Sequence, residues 1–443
     1  MSAKYGKSFS RREFLKAAAS LGAGALFVGG HIPEALAARV RQAGPVTIQY
    51  RALPWNASTD RRIERQIAFQ SVIDSFRLKF PNVTFIEVVG ADDPVAVSQD
   101  VANKTVDAAW VNHSVYADYV RAGYLVDMAP YMPEGEIDKY FDWITNALTS
   151  VDGTLRGLWH NTDTPLFFYN TEKIATPPTT WGELLEIARQ VAADEPGKYG
   201  TTYPMRNWTQ INEGMFVALG GSVIDADGNV VIFEEANRAI LADMFSFYQT
   251  LIQENLMPTG AIGYDHNSQM PEVFAGNVYS FAGNNNMHIR ALAPTLPAEE
   301  YAKWAAAKLP HPDAAPAGRY LAGGWCIVPV ATGDPDREAA AAAWTLHATD
   351  FAANRDTNKA GGWVPTRPEV IEQDPFYAND PFMTTTLDAL NTGGYVVPFW
   401  PIYGIVQNAV NVAVQAAASG QQTIDEALDA AQAEVEREIA ARS

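Results

Sequence analysis

The side chains in this chain that are best suited to contact a ligand are tryptophans that stand close to asparagine or aspartate. The sequence contains 11 Trp, 18 Tyr and 20 Phe. Most aromatic side chains fill protein cores, but several of these tryptophans fall beside Gly, Asn and Pro in predicted loops, where burial is less expected. The candidate exposed rings are Trp55, Trp110, Trp208, Trp325, Trp363 and Trp400. For any single one of them, core packing is the competing interpretation.

Planar polar side chains accompany these rings. An indole face packs against apolar CH groups, whereas an amide or carboxylate group makes hydrogen bonds with hydroxyl groups. A ligand that presents both CH groups and hydroxyls would need both kinds of side chain. The candidate hydroxyl-binding residues are Asn56, Asn112, Asp163, Asn207, Asn284 and Asn285.

Alternating strands and helices must position these residues. Residues 46–50 alternate as a first strand, and Ile63, Ile67, Ile73, Phe76 and Phe80 predict a helix over about 60–80 that Pro81 ends. Residues 83–89 predict a second strand. The order of strand, helix and strand implies parallel pairing and an α/β fold. A further strand over 106–110 leads into the loop that contains Asn112.

The stretch 151–191 carries the most local information. Asp152-Gly153 is a turn pair, and residues 165–169 predict a short strand rich in aromatic side chains. Thr180 with Glu183 forms a capping box that begins a helix at residue 181. Thr423 with Glu426 forms a second capping box, which begins the last helix.

The motifs of this stretch resemble a known family. The order DG-x-L-x-GL, TDT-x-x-FFYN and PPTTW-x-ELLEIAR resembles the signature of family 1 extracellular solute-binding proteins. The tail SG-x-x-T-x-DEAL-x-x-AQ, which starts at Ser419, resembles the end of sugar-binding members. Asn284 to Asn286 depart from the pattern, because sugar receptors of the family often have Pro and Trp there.

The resemblance implies a two-lobed α/β fold, the type II periplasmic-binding-protein fold. Each lobe is then a central sheet flanked by helices, with a ligand cleft between the lobes and three hinge crossings near 160–164, 279–283 and 323–327. The implied N-terminal lobe comprises 46–161 and 284–323. The implied C-terminal lobe comprises 162–283 and 324–443.

The resemblance also implies a function. The chain would be the monomeric substrate-binding protein of an ABC importer, closing over a sugar or oligosaccharide and docking on a membrane permease, without cofactor or metal. The implied ligand-binding residues are Trp55, Asn56, Trp110, Asn112, Asp163, Trp208, Asn284, Asn285, Trp325, Trp363, Trp400 and Tyr403. Trp110 and Trp400 are favoured because each stands where family members touch ligand. Asp163 lies at an implied crossing, where it would alternatively hold the hinge through backbone amides.

Other ligand classes and an enzymatic function stay open. Glycerol phosphate would need Arg206, Arg290 or Arg367, whereas a cation such as a polyamine or a neutral polyol would not. An exported carbohydrate-active enzyme would need two carboxylates placed across the scissile bond. The chain has no recognisable catalytic motif, and its seven histidines lack metal-ligand spacing, so we expect neither catalysis nor a metal site.

The first 37 residues predict a twin-arginine export signal. Ser10-Arg11-Arg12 opens the motif SRR-x-FLK, an apolar run rich in Ala and Gly follows over 17–30, and Ala35-Leu36-Ala37 is a small-x-small cleavage signal. No cysteine lies near this signal. We therefore expect a periplasmic protein, exported folded, without a lipid anchor.

Charge, length and cysteine content limit the partners and the architecture that this protein can have. Removal of residues 1–37 leaves 27 Lys and Arg against 49 Asp and Glu, so the formal charge changes from −19 to −22. Nucleic acid and anionic lipid are poor partners for such a charge. The 406 residues from 38 to 443 suggest two lobes. Cys326 is the single cysteine, so no internal disulfide forms, and we expect it to be buried.

Overall fold

The computed structural model describes residues 32–206, 208–225, 229–312, 318–396 and 403–441. These residues form two compact units, and each unit contains two separate segments of the chain. Unit 1 comprises 32–162 and 324–376, and unit 2 comprises 163–323 and 377–441.

Eleven strands lie in the described ranges. They are β1 (Val46–Ala52), β2 (Val83–Val89), β3 (Ala108–Asn112), β4 (Leu158–Asp163), β5 (Pro165–Asn170), β6 (Ser280–Asn284), β7 (Trp304–Ala307), β8 (Tyr320–Leu321), β9 (Gly323–Pro329), β10 (Val364–Pro365) and β11 (Gly394–Tyr395).

Eighteen α-helices lie in the same ranges, and none of them is long and apolar enough to cross a membrane. They are α1 (Glu34–Gln42), α2 (Ile63–Lys79), α3 (Pro94–Ala102), α4 (His113–Arg121), α5 (Asp142–Thr149), α6 (Trp181–Asp194), α7 (Glu213–Ala218), α8 (Glu235–Gln253), α9 (Met270–Phe274), α10 (Ala293–Thr295), α11 (Ala298–Tyr301), α12 (Pro335–Ala348), α13 (Phe351–Gly361), α14 (Pro368–Gln373), α15 (Pro375–Ala378), α16 (Pro381–Gly393), α17 (Tyr403–Ala418) and α18 (Ile424–Ala440).

Unit 1 is built on a six-stranded sheet with the order β10-β4-β9-β3-β1-β2. Strands β1 and β2 pair in parallel along their whole length, which confirms the strand, helix and strand start predicted from the sequence. Strand β9 comes from the second segment of unit 1 and pairs antiparallel with β3, where Trp110 lies opposite Ile327 and Asn112 opposite Trp325. Cys326 on β9 is fully buried, as expected.

Helix α2 packs on this sheet through a face that includes part of the predicted stripe, because Ile73, Phe76 and Phe80 are buried. Ile63 and Ile67 were expected to point inward, but both are only partly buried. The buried face instead carries Arg65, Phe69, Val72 and Phe76, together with Ala68 and Ile73. The prediction therefore holds for the C-terminal half of the helix, whereas the N-terminal half buries Arg65, a charged residue that the apolar spacing did not include.

Unit 2 contains a three-stranded antiparallel sheet with the order β6-β5-β7 and a parallel pair formed by β8 and β11. Helix α6 begins at the predicted capping box, in which Thr180 and Glu183 each accept a hydrogen bond from the other's backbone amide, both at 3.2 Å. The second predicted capping box, Thr423 with Glu426, begins α18. Trp181 lies in the core of unit 2, stacked on Phe247 with ring centroids 4.7 Å apart.

The two units differ from the lobes implied by the resemblance. Residues 284–323 belong to unit 2 and residues 324–376 to unit 1, the reverse of the expectation. The chain changes unit after residues 162, 323 and 376, and not near 279–283. The reason is the pairing of β6 with β5, from Pro165 opposite Asn284 to Tyr169 opposite Ser280, which keeps this segment inside the sheet of unit 2.

The packing of β9 against β4 gives a stability prediction at Gly324. Gly324 has φ of +148°, and a Cβ there would overlap the carbonyl oxygen of Asn161 and the indole nitrogen of Trp159. Gly324→Ala should lower the free energy of unfolding by about 2 kcal/mol or more, because both the backbone conformation and the space require glycine. Urea denaturation followed by circular dichroism measures this change.

Gly44→Ala is the matched control, because Gly44 is exposed and a Cβ there would meet no atom within 4 Å. Equal stability of the two variants would contradict the close approach of β9 and β4.

Candidate functional site

Four tryptophans of unit 1 meet in one group, here called the indole cluster: Trp55, Trp110, Trp325 and Trp363. The ring of Trp55 lies 4.8 Å from that of Trp325, 5.4 Å from that of Trp363 and 6.0 Å from that of Trp110, edge to face in each case. Trp110 and Trp363 are 6.4 Å apart. The structure therefore brings together four of the six tryptophans that the sequence singled out.

Strand register explains this convergence. Trp110 lies on β3, and the antiparallel pairing of β3 with β9 places Trp325 opposite Asn112, two residues from Trp110. Trp55 follows β1, which neighbours β3 in the sheet. Residues far apart in sequence thus meet at one region of the same sheet.

Arg65, which sequence reasoning missed, holds the cluster in place. Its guanidinium lies 4.6 Å from the centre of the Trp363 ring and donates hydrogen bonds to the carbonyl oxygens of Trp55 at 3.1 Å and Gly361 at 2.9 Å. Asp60 lies 3.8 Å away and supplies the opposite charge. Helical spacing places Arg65 one turn before Phe69 on the buried face, and this apolar position was the available signal.

The four indoles differ in exposure, which separates their roles. Trp55 and Trp325 are half-buried, and the Trp55 indole nitrogen donates to Asp92 at 2.9 Å. Trp363 is 5% exposed and lies under Arg65, and Trp110 is 1% exposed. A cavity of about 10 Å³ beside Trp110 is far too small for a sugar ring. The expectation that Trp110 stacks on ligand is therefore corrected, because its faces are occupied by core side chains.

Two asparagines of unit 1 have structural roles that the sequence did not reveal. The Asn56 side chain is buried and accepts a hydrogen bond from the Leu53 amide at 2.7 Å, which closes the loop after β1. The Asn112 side chain caps α4 by accepting from the Ser114 amide at 2.9 Å. Both therefore orient the backbone beside the indole cluster through their side-chain oxygens, and their role as hydroxyl-binding residues stays a prediction.

Unit 2 contains a second group, here called the amide–carboxylate cluster: Asp163, Thr164, Asn284 and Asn285. The Asn284 amide donates to the Asp163 carboxylate at 3.5 Å. Thr164 and Asn285 are joined by two hydrogen bonds, at 2.9 Å between the Asn285 amide and the Thr164 carbonyl and at 3.3 Å between the Thr164 amide and the Asn285 side chain. The antiparallel pairing of β5 with β6 brings the start of β5 and the end of β6 together.

Several polar atoms of this cluster are buried without a hydrogen-bond partner among the described residues. They include the Thr164 hydroxyl and the side-chain nitrogen of Asn285, which is fully buried. Buried polar groups are normally satisfied, so each unsatisfied one calls for an explanation, of which a polar ligand is one. The arrangement can donate and accept hydrogen bonds at once, as recognition of hydroxyl groups requires.

Asp163 has an unusual protonation equilibrium. Burial raises the pKa of its carboxyl group to about 6, although the positive charge of Arg290 opposes this rise. The pKa of His266 is lowered to about 4 by burial and by the same Arg290 charge. Asp163 therefore changes charge close to neutral pH, whereas His266 stays uncharged there.

Trp208 lies in a π-helical turn, Trp208–Asn212, that leads into α7. The ring is 1% exposed and packs 5.6 Å from Phe216, so the expectation of a ligand-stacking ring at Trp208 is corrected. The next residue after this turn is Glu213, which is buried, and burial raises its pKa well above the usual range. Sequence reasoning missed Glu213, although it is an acidic residue directly before an apolar run.

Three candidates cannot be placed. Trp400 and Asn207 lie outside the described residues, as does the side chain of Tyr403 at the start of α17. The two rings Trp400 and Tyr403 remain predictions from the sequence.

The three candidate arginines have different surroundings. Arg206 pairs with Asp265 at 3.2 Å on the surface. Arg367 is buried in an ion pair with Glu136 and contacts the Tyr140 hydroxyl at 3.3 Å, so its charge is already matched. Only Arg290 acts on a predicted ligand-binding residue. In the described part of the chain, no group of three or more His, Cys, Asp and Glu has the geometry to hold a metal ion.

A surface groove of about 470 Å³ lies elsewhere in unit 2. It is lined by residues 173–179, among them Pro177 and Pro178, and by one side of α6. No indole lines it, so its composition does not match the predicted ligand chemistry.

The sequence profile of a family described as bacterial extracellular solute-binding protein matches residues 72–385. The chain belongs to this family. The resemblance to extracellular solute-binding proteins that the motifs predicted is thereby confirmed.

Solved structures of other solute-binding proteins share the fold. Maltose-bound MalE3 of T. maritima aligns with a TM-score of 0.72 at 20% identity, over 88% of this chain and 99% of the other. The GacH receptor of Streptomyces glaucescens, solved unliganded and with acarbose, aligns with a TM-score of 0.72 at 16% identity, over 88% and 97%. The predicted α/β type II periplasmic-binding-protein fold is therefore confirmed for this solute-binding protein.

One characterised relative matches over a shorter stretch. The sn-glycerol-3-phosphate-binding periplasmic protein UgpB of Agrobacterium fabrum is 26% identical over 142 residues, which cover 27% of this chain and 32% of the relative. The match thus spans about a third of the relative's length.

Arg65 gives a test of the indole cluster in this solute-binding protein. Arg65→Met should lower the free energy of unfolding by about 2–4 kcal/mol, because it leaves two carbonyl oxygens and Asp60 without their charged partner. The near-ultraviolet circular dichroism should weaken, since the tryptophans lose their fixed packing. Arg61→Met makes the same chemical change at an exposed position and should leave both measurements unchanged. Identical behaviour of the two variants would refute the role of Arg65.

Proposed function

We propose that this protein is the extracytoplasmic receptor of an ABC importer and that its ligand is a sugar or oligosaccharide. The indole cluster of unit 1 and the amide–carboxylate cluster of unit 2 are the two candidate groups of ligand-contacting side chains. Ligand binding shifts an open population toward a closed one, which docks on the membrane permease. The protein reaches the periplasm by the twin-arginine route, without a lipid anchor, and works as a monomer without catalysing a reaction.

The observation that carries the proposal is the half-buried pair Trp55 and Trp325, whose rings are held 4.8 Å apart by a cluster that Arg65 fixes. A rigid indole with one free face offers a flat apolar surface at little cost in conformational entropy, which suits the CH face of a sugar ring. The rings are fixed before ligand arrives, so binding does not require them to be ordered.

The amide–carboxylate cluster supports the same ligand class. Asp163 and Asn284 provide acceptors and donors close together, and the side-chain nitrogen of Asn285 is buried without a partner among described residues. A ligand without matching hydroxyl groups would leave these groups unpaired, which is the basis of selectivity at polar sites. The fold neighbours that were solved with maltose and with acarbose lend further support.

A phosphorylated alcohol is the second candidate, favoured by Arg290 and by the relative that binds glycerol phosphate. The charge of Arg290 reaches both Asp163 and His266, so it lies near the amide–carboxylate cluster. Against this candidate, the Asp163 carboxylate would repel a phosphate once it is ionised. A polyol or a cation such as a polyamine would meet the same carboxylate without repulsion.

A thermal-shift screen of sugars, polyols, polyamines and phosphorylated alcohols tests the proposal. A tight neutral carbohydrate at 100 times its dissociation constant should stabilise the protein by about 2.7 kcal/mol through mass action. For that ligand, Trp55→Leu should weaken binding roughly tenfold to a hundredfold in calorimetry, because it removes the stacking face. Trp55→Phe keeps an aromatic plate and is the matched control, with a smaller loss. A response to phosphorylated alcohols alone, or equal affinities of both variants, would refute the sugar proposal.

The pH dependence of affinity discriminates between the ligand classes. Because the pKa of Asp163 is about 6, its carboxylate is ionised at pH 7.5 and protonated at pH 5. A ligand whose hydroxyl or ammonium group donates to the carboxylate should bind about tenfold more weakly at pH 5 than at pH 7.5. A phosphorylated ligand should show the opposite trend, since protonation removes the repulsion.

Asp163→Asn is the control for this experiment. The amide does not titrate, so the pH dependence should flatten while the fold is kept. A pH dependence that persists unchanged in Asp163→Asn would show that another group controls it.

A further inference from the structure

The predicted export signal ends inside a folded part of unit 1. Helix α1 spans Glu34–Gln42 and packs on α12. Leu36 is 4% exposed, Ala37 2% and Val40 1%. The small-x-small signal Ala35-Leu36-Ala37 therefore lies in a helix whose inner side is buried.

Polar contacts fasten the C-terminal half of α1. The Arg39 guanidinium donates to the carbonyl oxygen of Pro335, the first residue of α12, at 3.0 Å, and it lies 5.6 Å from the ring centre of Tyr131. The Asn82 side chain donates to the carbonyl oxygens of Val40 at 2.7 Å and Ala43 at 3.3 Å. These contacts tie α1 to three other segments of unit 1.

The position of the scissile bond conflicts with access by a peptidase. Cleavage after Ala37 would cut the bond between Ala37 and Ala38 in the middle of α1. Peptidases act at exposed, locally open chain, and cleavage of a folded site proceeds through the transiently open form. Ala37 is buried and its backbone is helical, so the bond is protected while α1 is docked.

We propose that docking of α1 on α12 controls removal of the export signal, because the Ala37–Ala38 bond is cut only when α1 has detached. This rests on the proposed twin-arginine route, which delivers the chain already folded. Hydrolysis adds one water molecule across the bond, leaving a carboxylate on Ala37 and an ammonium group on Ala38. The peptidase provides the catalytic groups.

Cleavage also shortens α1. Leu36 and Ala37 leave with the signal, so Val40 is the only one of the three buried side chains that stays. Residues 38–42 are too few to form a stable helix by themselves. The contacts of Arg39, Val40 and Ala43 are therefore the ones that hold this segment in the processed protein.

Processing of purified, folded full-length precursor by detergent-solubilised leader peptidase tests the proposal. Val40→Ala removes packing from α1 without changing the small-x-small signal, and it should speed cleavage about tenfold, in proportion to the larger open population. Arg39→Gln removes the hydrogen bond to Pro335 and should speed cleavage several-fold. Arg41→Gln is the matched control, because it removes the same charge from an exposed side chain whose ion pair with Glu34 stays within α1 and does not reach α12, and it should cleave close to the wild-type rate.

Intact mass spectrometry of the product locates the cut. Cleavage after Ala37 with the predicted order of rates supports the proposal. Equal rates for the precursor and all three variants, or a cut at any other bond, would overturn it. Far-ultraviolet circular dichroism shows whether Val40→Ala folds. If it does not, the rate for Arg39→Gln still tests the proposal.

A separate variant distinguishes this proposal from the export route. Replacing Arg11 and Arg12 by lysine should stop export in cells but leave the cleavage rate of the purified precursor unchanged. Export that persists in this variant would refute the twin-arginine route, whereas the order of rates in the purified system tests the docking of α1.

Discussion

The structure of unit 1 depends on the insertion of β9 between β3 and β4. This strand begins 160 residues after the end of β4, yet Cys326, Ile327 and Val328 on it are almost fully buried. A central strand must satisfy its backbone groups on both sides, so its register is fixed by hydrogen bonds as well as by side-chain packing. The same register sets Trp325 opposite Asn112 and so completes the indole cluster. The discontinuous chain and the candidate site thus have a common origin.

The indole cluster shows how a charge can order an apolar group. Arg65 is 4% exposed, and burial of a guanidinium is favourable only when its donors are used. The Arg65 guanidinium donates to two carbonyl oxygens, lies over the Trp363 ring and pairs with Asp60. Trp55 is held at its backbone and cannot turn freely, while Trp110 and Trp363 fill the space behind it. The buried rings of Trp110 and Trp363 therefore hold the half-buried rings of Trp55 and Trp325 in position.

The amide–carboxylate cluster of unit 2 is polar, and the Thr164 hydroxyl and the Asn285 side-chain nitrogen are buried without partners in the described ranges. Such groups are costly in a folded protein, and the raised pKa values of Asp163 and Glu213 express the same cost of burial. A polar ligand would satisfy donors and acceptors that the protein leaves open.

Local features of this protein were determined by the sequence alone. The capping boxes at Thr180 and Thr423, the parallel pairing of β1 and β2, and the solute-binding family all follow from residues close together in the chain, where side-chain and backbone preferences act directly. Burial was decided by tertiary structure. Trp110 and Trp208 became core residues, Arg65 became a centre of packing, and 324–376 joined unit 1, because these outcomes depend on which distant strand pairs with which. Local sequence patterns do not predict which distant strands pair.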